Sequence, residues 1–327
     1  MTIVTTDPAR SPGPRGEPGG PRGTAIRPSR LRGLRETVGR FIARTDGLAG
    51  AVILAVFTVL ALMPELFVGP LETVVSATGA SLEPPSAAHL LGTDELGRDM
   101  LNLTVHGARI SMTIGLLATI ITIAVGAVVG IVAGYIGGKL DIGLMRVTDF
   151  FLVLPTFVLA IILAPILLDI IGAEAEILGI RATLLVIVVV IGLTSWATTS
   201  RVIRSQVLSV KERMFVDRAR VIGTGGARTM RRHILPNVVN LIVAQAVLTF
   251  AVAVFTETTL AFIGLGDPFA PSWGQILSAA QAAGAPGLRA WWYIAPPAVC
   301  VVLVVLAFTL VGNALDDILN PKSGGRR

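Results

Sequence analysis

His89, His106, His233 and Cys300 are the residues of this chain that could bind a transition metal, and they are scattered rather than clustered. A structural zinc site draws Cys and His ligands from short, paired intervals, and no such interval occurs. A nucleophilic set needs Ser or Cys beside a His that a carboxylate orients, and none can be assembled from these positions. The acids and arginine of GTDELGRD (Asp94, Glu95, Arg98, Asp99) lack the alternating acids and terminal Glu of a calcium loop, and read instead as a salt-bridged turn. AGYIGGKL at 133–140 comes nearest to a phosphate loop, with Ala133 where the first Gly belongs and Leu140 where Ser or Thr would hold magnesium. GTGG at 223–226 has no Lys after it. The expectation is no catalytic residue, no metal site and no cofactor on this chain, so energy input must come from a partner or an ion gradient.

Two features remain. Glu257 sits within TFAVAVFTETTLAFIG, where a charge facing lipid costs about 2.5–3.5 kcal/mol. It must therefore face the interior, either lining a translocation route or serving as a hydrogen-bonded structural acid. The second feature is ERMFVDRARVIGTGGARTMRRHILPN, from Glu212 to Asn237, a polar and basic stretch bracketed by long apolar runs. Its pattern reads as a helix, a glycine break, a second basic helix and a Leu-Pro stop.

The elements that carry these residues must be membrane spans. With 53% hydrophobic and 15% charged residues and a mean hydropathy of +0.76, a soluble globular domain is excluded. Apolar stretches cover 47–64, 110–138, 150–168, 182–200, 234–256 and 290–315. Each is near the roughly 20 residues of a spanning helix, and none alternates like a barrel strand. The fold class expected is an all-α polytopic membrane protein with six transmembrane helices. Of the 27 Lys and Arg, all but Arg98, Arg109, Arg181 and Arg289 fall on one side if the amino terminus is inside. Both termini are therefore expected to be cytoplasmic. Basic charge at membrane borders points to lipid headgroups as a partner and away from nucleic acid.

Five segments follow: a tail at 1–45, a first span at 46–69, an extracytoplasmic segment at 70–109, a five-helix core at 110–316 and a cytoplasmic end at 317–327. The core includes a cytoplasmic loop at 201–237. The first apolar run starts too late for an ordinary cleaved signal. Residues 1–28 read as disordered and 30–44 as a basic amphipathic helix on the inner surface. Gly126, Gly130, Gly134 and Gly138, four residues apart, would share one helix face and admit a neighbouring backbone, within the chain rather than in a dimer. Pro155 and Pro165 interrupt the third span, and Pro296 and Pro297 the sixth. Asp149 has Arg146 as a local partner, and Cys300 reads as a small buried apolar residue. Trp291, Trp292 and Tyr293 read as an interfacial anchor, and GLGDPFAPSWG (264–274) as an outer loop.

The 212–237 stretch resembles the EAA motif of ATP-binding-cassette importer permeases, which runs Glu-Ala-Ala, three residues, Gly, nine residues, Ile-x-Leu-Pro. Alignment on Gly223 places Asp217, Arg218 and Ala219 on Glu-Ala-Ala, His233 on Ile, and Leu235 and Pro236 on the final Leu-Pro. Arg218 and His233 depart from that pattern. GTDELGRDMLNLTVHGARISMTIGL, MRVTDFFLVLPTFVLA, HILPN, FIGLGDPFAPSWG and LVGNALDDILNP are similar, in order, to the second permease subunit of dipeptide and oligopeptide importers. The resemblance implies a type I permease fold in a bacterial plasma membrane, importing peptides or a cargo such as nickel, haem or glutathione. An ion-coupled carrier is the weaker alternative, since inverted repeats are not evident. It also implies a sister permease forming a heterodimer, two ATPase subunits that carry ATP and magnesium, and an extracytoplasmic substrate-binding protein. Residues 212–230 would form a coupling helix in an ATPase groove. Arg220, Arg228, Arg231 and Arg232 would then face ATPase acids or lipid phosphates.

Overall fold

The computed structural model describes residues 39–319, apart from 173, 174 and 178. The segment expected to be disordered, most of the expected amphipathic helix and the end of the C-terminal segment lie outside these residues, and 39–42 are helical. The chain is helical almost throughout, because a backbone in lipid must satisfy its own hydrogen bonds. Helices α1 (Thr45–Leu62) and α2 (Pro64–Val68) lead into an irregular segment, then α3 (Met100–Ile136), α4 (Gly138–Val153) and α5 (Thr156–Ile171). A two-residue hairpin, β1 (Glu176–Ile177) with β2 (Ile180–Arg181), precedes α6 (Ala182–Lys211). Short helices α7 (Met214–Val221) and α8 (Gly226–Thr229) connect through a π turn to α9 (Leu235–Leu260), and α10 (Trp273–Ala282) and α11 (Trp291–Leu319) close the chain.

Among the described residues, five helical runs are long and apolar enough to cross a membrane, and the α4–α5 pair makes a sixth if counted as one broken span. That third span is not the single kinked helix expected from sequence. Its two halves meet at 91° across Leu154 and Pro155. Pro155 supplies the break, since it lacks an N–H and drives Leu154 into an extended conformation. Pro165 sits inside α5 without ending it. The second span also differs, beginning at Met100 rather than near 110 because Asp99 caps it. The Asp99 carboxylate accepts from the backbone N–H of Leu101 at 2.7 Å and of Asn102 at 3.1 Å.

The spine of the bundle is the pair α3–α6. A Cβ placed on Gly130 would lie 2.6 Å from the carbonyl oxygen of Ser200, on Gly126 2.8 Å from Thr199 Cβ, and on Gly134 2.9 Å from Val207 Cβ. Only glycine lets two backbones approach this closely. Gly138 does not share the face, a correction to the four-glycine stripe. The helix ends at Gly137, and Gly138 opens α4 with φ +63 and open space around it. Around this spine α9 packs on α3 and α11, and α1 covers α11. Arg44 ties the start of α1 to the end of α11 through Asp317 at 2.8 Å.

The polar residues of the segment before α3 become scaffold. Buried Asp94 accepts from the N–H of Leu96 and Arg98 and from Arg98 Nε at 2.7 Å, which is the salt-bridged turn expected. His89 Nδ1 meets Asp99 at 2.9 Å, and His106 Nε2 donates to the Gly69 carbonyl at 3.0 Å. Arg109 grips Glu65 at 2.6 and 2.8 Å and holds that carboxyl below its ordinary range. The aromatic trio splits up. Trp291 is exposed, whereas Trp292 donates to the Thr93 carbonyl and buried Tyr293 bonds Glu95. Tyr293 is therefore a core residue of this cap, and Trp292 packs partly buried against the same cluster. Asp149 pairs with Arg201 at 2.6 Å rather than with Arg146, because α4 lies along α6 and brings that guanidinium across. Beside it Arg204 takes Asp141 in a two-pronged bridge at 2.6 and 2.7 Å.

Replacing Gly130 by Ala is expected to cost about 1–3 kcal/mol, the usual range for overpacking, and to lower the unfolding temperature of the purified protein. Gly143→Ala, on exposed α4 with nothing within 4 Å, is the matched control and should hold or raise it.

Candidate functional site

The loop after α6 is a structured surface. Val216 and Ala219 of α7 are buried, and Val216 joins a cluster with Ile203, Val207, Val210, Ile234 and Val238 from α6 and the start of α9. Those contacts seat α7 like a lid on the two long helices. Its end is closed by backbone bonds from Ile222 to Arg218 and from Thr224 to Ala219, with Gly223 between them at φ +79. That left-handed conformation is nearly strain-free only for glycine. Buried Thr229 then fastens α8, its hydroxyl donating to the carbonyls of Thr224 and Gly225.

Of the residues aligned on the EAA pattern, Asp217 and Arg218 are exposed, Ala219 points inward and Gly223 makes the turn. His233 is half-buried with its ring 6.3 Å from that of Phe215, Leu235 is partly buried and Pro236 is exposed. Leu235-Pro236 is not the expected stop. Pro236 occupies the first turn of α9, where its missing N–H leaves no bond unmade, and the chain runs on from α8 through the Met230–Ile234 π turn. Sequence reasoning missed the outward face. Met214, Val221 and Ile222 are exposed, the latter two at 86% and 80%, and with Asp217 and Arg218 they line a shallow depression. The signal was available, since Val221-Ile222 are apolar residues stranded in a charged loop.

Glu257 is fully buried, but away from any open face. Its Oε2 lies 3.5 Å from Thr258 Oγ1, with the hydroxyls of Ser111 and Ser272 alongside. Ser111 accepts from the N–H of Trp273, and Ser272 caps α10 by accepting from the N–H of Gln275. Glu257 thus joins α3, α9 and the start of α10, which presents its positive end to the carboxylate. A different strip of α9 faces open space. Gln245, Thr249, Val252, Thr256 and Thr259 share one helix face and, with residues of α5 and α6, line a concavity of about 360 Å³.

The bundle, the seated loop and the open strip define a multi-pass helical membrane protein built to work with other chains. Residues 126–324 match the family described as "Binding-protein-dependent transport system inner membrane component", and the chain belongs to that family. It is 35% identical, over 84% of its length and 81% of the relative's, to the "Dipeptide transport system permease protein DppC" of Bacillus subtilis (strain 168). It is 33% identical to the "Di/tripeptide transport system permease protein DppC" of Pseudomonas aeruginosa (strain UCBPP-PA14), covering 86% and 89% of the two chains. It is 34% identical to the "Oligopeptide transport system permease protein OppC" of Mycobacterium tuberculosis (strain ATCC 25618 / H37Rv), covering 76% and 81%. The chain is thus a membrane permease component of a bacterial transport system.

Glu257→Leu strips the hydroxyls of Ser111 and Ser272 of their shared acceptor and should lower thermal stability by about 1–3 kcal/mol. Glu257→Gln keeps an acceptor and should stay within about 1 kcal/mol of the parent in the same thermal melt.

Proposed function

We propose that this chain is one half of the membrane channel of an ATP-driven importer of di- and oligopeptides. Its sister permease would complete the channel, and an extracytoplasmic binding protein would deliver the cargo. Two ATPase subunits would bind ATP and magnesium, leaving this chain without chemistry of its own. Both termini and the α7–α8 loop then lie in the cytoplasm, where the excess of Lys and Arg favours them. The observation that carries the reading is the outward face of α7, where exposed Met214 and Val221 flank Asp217 and Arg218, on a helix whose other side is buried by α6 and α9. Burying a Val or Ile side chain in a partner's groove stabilises by about 1.5–3 kcal/mol. Because α7 is fastened to two long helices, a displacement of that groove moves the bundle rather than bending a free loop. ATP-driven closure of the ATPases would swing the pathway outward to receive peptide, and hydrolysis would return it inward.

Peptide cargo is favoured by the names of the relatives and by their coverage of most of both chains. Val221→Asp with Ile222→Asp is expected to leave the chain in the membrane with its sister subunit while ATPase co-purification and peptide uptake are lost. Gly223→Val, which forces a β-branched residue to φ +79, should act in the same direction. Uptake at the parent rate by either variant would sink the coupling role.

A further inference from the structure

The open strip of α9 has a composition that the proposed function does not by itself require. Gln245, Thr249 and Thr256 stand on it, Ser195 and Thr198 approach from α6, and Thr156 from α5. The concavity they line contains hydroxyls, one carboxamide and apolar side chains, and none of its lining residues is ionisable. From Gln245 to Thr259 the strip rises about 21 Å along α9 at the helical repeat, against about 30 Å of hydrocarbon core. It is therefore a mostly apolar track studded with neutral hydroxyls and one carboxamide, running through most of the membrane thickness.

Its hydrogen-bonding state has a direction. Thr256 and Thr259 donate to the carbonyls of Val252 and Phe255 within their own helix, both at 2.8 Å, which leaves their oxygen lone pairs available. Gln245 is half-buried in the lining, and its amide carries both donors and an acceptor. Lipid gives such groups nothing to bond. The face of α5 that carries Val158, Ile162 and Ile166 is by contrast apolar and exposed, as a lipid-facing surface should be.

We propose that this track is the cargo-contacting surface of the chain and that it recognises the main-chain amides of a peptide rather than its side chains. The inference rests on the peptide-import reading. A peptide entering the track loses water from each N–H and C=O, which is costly unless replaced. Threonine oxygens accept from peptide N–H groups, and the Gln245 amide serves either partner. The absence of charge matters equally. A fixed Lys or Asp would hold cargo of opposite sign and repel its own, whereas neutral donors and acceptors pass acidic, basic and apolar residues alike. Weak, repeated bonds also allow release, since each is worth little net.

The test uses the complete transporter with its binding protein in proteoliposomes, and Ala-Ala and its amide-N-methylated analogue as probes. Thr249→Val, Thr256→Val and Gln245→Leu together should cut Ala-Ala uptake by about tenfold or more, the loss expected of two or three hydrogen bonds. ATPase stimulation by the loaded binding protein should persist. Uptake of the N-methylated probe should fall less, and Thr249→Ser with Thr256→Ser should restore Ala-Ala uptake. Thr256→Lys should slow Lys-Lys more than Glu-Glu. A wild-type transporter that moves no peptide overturns the import reading and this inference with it. Parent-level uptake by the triple variant overturns the inference alone. Loss of the sister subunit from the triple variant marks the track as a subunit interface and overturns it too.

Discussion

The backbone contact between α3 and α6 sets the geometry of everything else. Gly126, Gly130 and Gly134 remove the side chains that would hold the helices apart, so the Ser200 carbonyl lies where a Cβ would otherwise stand. In lipid no hydrophobic effect pushes helices together, and close packing must supply the association. Once α6 is fixed, its start positions the β1–β2 hairpin and its end positions α7. Arg201 and Arg204, within the stretch of α6 that the glycines contact, then reach Asp149 and Asp141 and hold α4 against α6.

Polar residues in this chain divide by whether they are tied down. In the cap before α3, nearly every acid, base and amide bonds another part of the cap. Asp94, Asp99, Asn102, His89 and Arg109 together fold a segment with little regular structure. Glu257 follows the same rule only in part deeper in, where the hydroxyls of Ser111, Ser272 and Thr258 lie beside it while its Oε1 has no hydrogen-bond partner among the described residues. The strip on α9 does the opposite, presenting hydroxyls bonded only to their own helix. Buried polar groups are ordinarily satisfied, so an uncommitted row of them at an open face is a statement about what comes to that face.

Much of this was legible in the sequence, and the failures share a cause. Span number, the glycine face over 126–134, the turn at Asp94 and the break at Gly223 all depend on neighbours within a few residues or on helical spacing. The misplaced readings depended on which distant element lies alongside. Arg146 is three residues from Asp149, but α6 brings Arg201 closer. Trp292 and Tyr293 look interfacial until Thr93 and Glu95 fold over them. Pro236 looks like a stop, but a first-turn proline starts a helix as readily as it ends one, and only the preceding π turn decides. Gly138 keeps the four-residue spacing and loses the face, because the left-handed Gly137 ends the helix one residue earlier.

Under the proposed function, helix α9 is where coupling and passage would meet. It leaves the α7–α8 loop through a π turn at Met230–Ile234 and enters the outer loop through another at Ala261–Leu265, where Gly264 takes φ +92. A π turn widens the helix by one residue and weakens its ladder, so bending concentrates at such points. Between them α9 is regular, with the polar strip on one side and Glu257 on another. A push on α7 enters α9 through Ile234 and Val238, which share its buried cluster. Because the regular stretch resists bending and the π turns do not, the push tilts α9 as a rod. In that proposed coupling the whole strip would swing together, opening one end of the track as it narrows the other, which is the motion an alternating pathway requires.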